Sequence, residues 1–155
     1  MELNEKVVLL SISNEWAEAI LTGRKTYEYR RQPPAIEPPY KVVLYATADM
    51  SAIVGQFTTF EVLKGPIDDL VNRTINHTPH SEDDIQSYFE GKKTGSAIRV
   101  AGYQRYSSRL SLDEVQSVDD EFRPPQNFRY LRPSEDERIL ELVSNRGTPH
   151  AQQPH

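Results

Sequence analysis

Three proline pairs, Pro33-Pro34, Pro38-Pro39 and Pro124-Pro125, limit this chain's fold more than any other feature. Proline fixes φ, donates no backbone hydrogen bond and pushes its predecessor out of the helical region. Each pair therefore demands loop or extended chain, and together they argue against an all-helical bundle. With 155 residues the chain suits one domain around one core.

The segments between the proline pairs alternate in kind. Residues 7–12 form a short apolar run of buried-strand character. Ser13 and Asn14 are N-cap types, and Glu15 suits a first helical turn. Ala17, Ile20 and Leu21 then share a helix face, Trp16 on its flank reads as core packing, and Gly23 ends the helix. Residues 41–47 are strongly β in character. Residues 51–63 read as one long strand or as one broken at Gly55, where a barrel bend would explain the glycine. Helices are expected over 67–75 and after Ser81, ahead of Glu82-Asp83-Asp84. Residues 95–106 read as a further strand, a short helix begins near Ser111, and 127–131 is extended. Ser134-Glu135-Asp136-Glu137 has the form of a capping box opening a last helix over 134–146. Residues 148–155, polar and aperiodic, are expected to be a disordered tail outside a single domain of residues 1–147. Roughly six strands with short surrounding helices make an α+β domain, a curled sheet or small mixed β-barrel.

The chemistry gathers in residues 23–31, Gly-Arg-Lys-Thr-Tyr-Glu-Tyr-Arg-Arg. On a strand, side chains alternate between faces, so Tyr27 and Tyr29 point one way and Thr26, Glu28 and Arg30 the other. Lys25 stands at the mouth of the strand, just after the Gly23 turn. A carboxylate among cations could grip a phosphate or a polar base. Alternatively, Glu28 and Arg30 only pair along a solvated strand, which is worth about 0–1 kcal/mol. His77 and His80 lie three apart in the loop before Ser81, but no further ligands match their spacing, so no metal site is expected.

Charge narrows the partners. A net charge of −5 argues against non-specific coating of nucleic acid, which relies on neutralising phosphates. The cations Arg24, Lys25, Arg30 and Arg31 are nevertheless clustered, which leaves room for one local basic cleft. No cysteine is present, so disulfides and thiolate zinc sites are ruled out, and a reducing cytoplasm fits. The first residues carry Glu2 and Glu5 before a very short apolar run, unlike a signal peptide or a membrane span.

Leu10-Ser11-Ile12, the short helix and the 23–31 stretch together resemble the opening of the ASCH domain, a branch of the PUA-like superfamily. Val43-Leu44-Tyr45-Ala46-Thr47, Ala52-Ile53-Val54-Gly55-Gln56-Phe57, Tyr88-Phe89-Glu90-Gly91 and Pro124-Pro125-Gln126-Asn127-Phe128 extend the resemblance from about Val8 to Leu131. It implies a PUA-like barrel with a cleft beside the first helix and second strand. It also implies RNA binding, or a part in RNA metabolism or transcription-related control, and some members are credited with ribonuclease activity. Another branch removes an acetyl group from N4-acetylcytidine. Its catalytic lysine would fall on Lys25, but its nucleophilic threonine falls on Glu28, and Thr26 lies too close to the lysine to replace it.

The expected function is therefore binding of single-stranded RNA or a nucleotide in a cleft held by Lys25, Glu28 and Arg30. Arg24, Lys25, Thr26, Arg30, Arg31, Thr47 and Ser51 are the expected polar contacts, with Tyr45 stacking on a base and Glu28 and Gln126 reading its edge. If the chain is an enzyme, it is a hydrolase of RNA or of a modified nucleoside, with Lys25 and Glu28 catalytic. No cofactor is expected, apart from a divalent metal in the nuclease case. A protein-interaction or small-molecule-sensing regulatory domain is the reading of another class.

Overall fold

The computed structural model describes residues 2–147. In chain order the elements are β1 (Val7–Ile12), α1 (Asn14–Leu21), β2 (Tyr27–Arg30), β3 (Tyr40–Ala46), β4 (Ala52–Thr59) and β5 (Val62–Pro66). They continue with α2 (Ile67–Thr74), α3 (Glu82–Tyr88), β6 (Thr94–Arg99), β7 (Ala101–Ser111), α4 (Leu112–Val118), β8 (Phe128–Leu131) and α5 (Glu137–Arg146). The α+β class holds. The strands number eight among the described residues, and they form two sheets, ordered β7-β4-β3-β1-β8 and β2-β6-β5. Neither sheet closes on itself, so "barrel" describes the curl only loosely.

Three apolar layers hold the sheets and helices together. Val8, Leu10, Val42, Leu44 and Phe57 of the large sheet meet Ile98 of the small one, with Ala17, Ile20 and Leu21 of α1 in the same layer. The large sheet's other face carries Leu9, Val43, Tyr45 and Ile53 against Val115 of α4 and Ile139 and Val143 of α5. Both faces of β3 are thus covered, which is why Val42 to Tyr45 is a continuous apolar run. The small sheet's outer face packs Tyr29, Leu63 and Ala97 on Leu70 and Val71 of α2, Ile85 of α3 and Phe89 at that helix's C-cap.

Four expectations need correction. The strand expected over 95–106 is two, β6 and β7, because the chain leaves the small sheet at Val100 and joins the edge of the large one. The 51–63 stretch breaks after Thr59 instead of at Gly55. Gly55 sits at a register shift opposite β7, but close approach is what requires it. A Cβ there would lie 2.6 Å from the Gln104 carbonyl oxygen and 2.8 Å from both Leu21 methyls. The capping box at Ser134 does not form. The helix starts at Glu137, and Asp136 instead binds Arg129 at 2.6 Å and accepts from the Arg132 N–H at 2.8 Å. Capping boxes occur at Ser81–Asp84 and Ser111–Glu114. The expected tail, 148–155, lies outside the described residues.

Candidate functional site

Local backbone geometry at the end of α1 puts Lys25 where it is. Gly23 adopts φ +82°, a left-handed conformation open to glycine at little cost, and the Arg24 and Lys25 N–H groups both donate to the Ala19 carbonyl. The chain thereby folds back beneath the helix before β2 begins. Lys25 ends 2% exposed. From there its ammonium reaches three neighbours. Nζ lies 3.5 Å from Glu28 Oε1, 2.8 Å from His80 Nε2, and 5.0 Å from the centre of the Tyr29 ring.

Strand alternation does the rest. Glu28 and Arg30 share the face towards the cleft, while Tyr29 turns to the layer under α2 and α3 and donates its hydroxyl to Thr74 at 2.7 Å. Arg30 grips Glu28 Oε2 with Nε at 2.8 Å and Nη2 at 2.7 Å, and Nη2 also donates to the Ser11 carbonyl at 3.1 Å. The guanidinium thus ties β2 to β1 while fixing the carboxylate beside Lys25. Burying these charges costs several kcal/mol per ion, which their attraction repays only with good geometry.

His80 is the residue that sequence reasoning missed. The Thr26 backbone N–H and hydroxyl both donate to the His77 carbonyl, at 3.1 and 2.9 Å. That pins the strap leading into α3 across the start of β2 and drops His80 onto Lys25. The His80 ring packs against Trp16 with centroids 4.2 Å apart and the planes tilted by 52°. Lysine has only donors to offer, so Nε2 accepts and the ring proton resides on Nδ1. Burial, then the neighbouring Lys25 charge, holds His80 below its ordinary range, against the opposing pull of Glu28 and Asp84. Burial likewise lowers Lys25, with Glu28 pulling the other way. Lys25, Arg30 and Glu28 together carry one positive charge, and Asp84 in the same lining supplies a second carboxylate opposite it.

These groups line a cleft of about 600 Å³, together with Ser11, Ser13, Trp16, Asp84, Tyr88 and Asn127. Trp16 is therefore wall as well as core flank. Tyr88 is 39% exposed, packed edge-on against Phe89 with the Arg31 guanidinium 5.3 Å over its face. Arg31 itself donates to the Tyr88 carbonyl at 2.8 Å and stands on the outer edge.

Of the expected contacts, Lys25, Glu28 and Arg30 come together in the cleft. Thr26 supports it through His77, and Arg24 is exposed outside it. Tyr45 is 3% exposed in the layer under α4 and α5, on the wrong face of the large sheet to stack on a base. Gln126 is exposed, and its neighbour Asn127 takes the place in the lining. Thr47 lines a separate groove, and Ser51 turns its hydroxyl to the Ala48 carbonyl at 2.6 Å. Among the described residues, no three His, Asp or Glu side chains gather as a metal-holding group, and no helix is long and apolar enough to cross a membrane.

The sequence pattern of the ASCH domain matches residues 10–122. An ASCH domain-containing ribonuclease of Zymomonas mobilis is 28% identical over 141 residues, covering 91% of this chain and 95% of that one. A crystal structure of ASCH from Zymomonas mobilis superposes with a TM-score of 0.82 at 28% identity, covering 91% of this chain and 98% of that one. The N-terminal domain of Staphylothermus marinus McrB, at 14% identity and a TM-score of 0.59, shares the fold alone; it covers 94% of this chain and 96% of that one. With the domain pattern spanning most of its length, the chain belongs to the ASCH domain family.

Proposed function

We propose that this protein binds single-stranded RNA in the Lys25–Glu28–Arg30–His80 cleft and cleaves it by attack of the ribose 2′-hydroxyl. The observation that carries this reading is the 2.8 Å contact between a buried lysine ammonium and the acceptor nitrogen of His80 at the floor of the cleft. The relative of matching length named as a ribonuclease supports the same substrate class. Trp16 and Tyr88 supply the aromatic lining of the cleft against which a base can pack, the role Tyr45 cannot fill. A phosphate entering the cleft draws the Lys25 ammonium towards its oxygens, which frees His80 Nε2 to accept the 2′-hydroxyl proton. The O2′–phosphorus bond forms, the phosphorus–O5′ bond breaks, and a proton returns to O5′, giving a 2′,3′-cyclic phosphate and a 5′-hydroxyl. Glu28 and Arg30 keep Lys25 in position.

The test is incubation with end-labelled single-stranded RNA and with the same strand bearing one 2′-deoxy residue at each cleavage site. Wild type should yield cyclic-phosphate ends in EDTA as in magnesium, and the deoxy strand should stay intact. Lys25→Met and His80→Asn should each lower the rate about 100-fold or more. RNA retained without any cut would reduce the reading to binding alone. Cleavage at the deoxy positions would overturn the 2′-hydroxyl chemistry.

A further inference from the structure

Ser13, the N-cap of α1, lines both the cleft and a second, smaller groove of about 290 Å³. That groove is lined by Asn14, Thr47, Asp49, Met50 and Arg109. Two features make it a candidate seat. Among the described residues Arg109 has no carboxylate within ion-pair distance. Its Nη1 rests on the Met50 thioether at 3.4 Å, whereas Arg105 and the half-buried Arg146 are taken by Glu18 and Glu114. Asn14 Oδ1, buried at the atom, accepts no hydrogen bond. An acceptor left without a donor costs about 1–3 kcal/mol unless a ligand or water supplies one.

We propose that this groove seats the nucleotide adjacent to the one in the cleft, an inference that rests on the RNA reading above. The chain crosses the first turn of α1 at Ser13. Arg109 takes the neighbouring phosphate, and the Asn14 side chain turns outward to bring Oδ1 onto a ribose hydroxyl or an exocyclic amine. Asp49 confines the anion to the Arg109 side. The substrate is therefore an oligonucleotide, and a free nucleotide fills only half of the site.

Binding of an eight-nucleotide 2′-fluoro RNA, which cannot be cut through O2′, and of mixed nucleoside 5′-monophosphates separates the two seats. Arg109→Ala should weaken the oligomer about tenfold and lower the slope of log affinity against log salt by about 0.7, the share of one single-strand phosphate. Mononucleotide binding should change less than twofold, and Asp49→Asn should tighten the oligomer. An unchanged salt slope in Arg109→Ala, with Lys25→Met still damaging, would overturn the groove and leave the cleft standing. Wild type that holds neither ligand would overturn both.

Discussion

Glu28 and Glu18 are each clasped by an arginine, and the two pairs teach opposite lessons. Glu18 receives both guanidinium nitrogens of Arg105 across the α1–β7 contact, with the side chains 38% and 45% exposed. Its carboxyl is held below the ordinary range first by that hydrogen bond, with burial opposing it. Glu28 and Arg30 are 8% and 13% exposed, and behind them is a second cation at 2%. The Glu18 pair is the solvated strap that a sequence reader would assign to Glu28. An exposed pair of this kind contributes about 0–1 kcal/mol. The buried trio has lost its hydration and leaves one positive charge over, an arrangement that packing alone would not favour.

The widest separation between the pairs should appear in the two Glu→Gln variants. Glu28→Gln leaves Arg30 and Lys25 together without a counter-charge and should cost about 3 kcal/mol of unfolding free energy. Glu18→Gln should cost less than about 1 kcal/mol. Urea denaturation of both at one pH measures the difference, and equal losses would mean that the cleft charges are better hydrated than their burial implies.

How far the sequence revealed this pair depended on distance along the chain. Lys25, Glu28 and Arg30 lie within six residues, so alternation and the Gly23 turn sufficed to put them in one place. His80 is 55 residues away from its partner and arrives through a backbone contact between Thr26 and His77. Nothing local in His77-Thr78-Pro79-His80 announces that. Tyr45 failed for a related reason. In a strand covered on both faces, apolar character no longer tells which face meets the cleft. The elements themselves were readable wherever capping and alternation acted locally. They were misread where the chain changed sheets at Val100 and where Asp136 preferred Arg129 to its own helix.

Lys25 sharpens the comparison from the other side. Replaced by methionine, the buried ammonium becomes an apolar chain of similar reach between Trp16 and Tyr29, and Glu28 keeps Arg30. Stability should hold or rise by about 1 kcal/mol, read as an unchanged or higher denaturation midpoint, while RNA cleavage is lost. A fall in stability comparable to that of Glu28→Gln would make Lys25 a structural counter-ion and remove the main reason for placing chemistry there.

The smallest effect concerns pH and belongs to His80 alone. Its proton affinity in the folded state is below the value of about 6.5 that an unfolded chain has. As pH falls through that range, the unfolded chain takes up a proton first, so the folded form loses stability progressively until the folded value is passed. The same proton sets a second cation 2.8 Å from Lys25 Nζ and removes the lone pair that accepted its hydrogen bond. Wild type should therefore show a thermal midpoint that drops between pH 7.5 and 5 by a margin His80→Asn does not share. The drop stays modest because the imidazole is still partly open to water. The Glu18–Arg105 pair contains no group that titrates in this window, so Glu18→Gln should follow the wild-type curve. If His80→Asn follows it too, the histidine does not feel the lysine, and the contact that distinguishes the buried trio from the exposed pair has no energetic content.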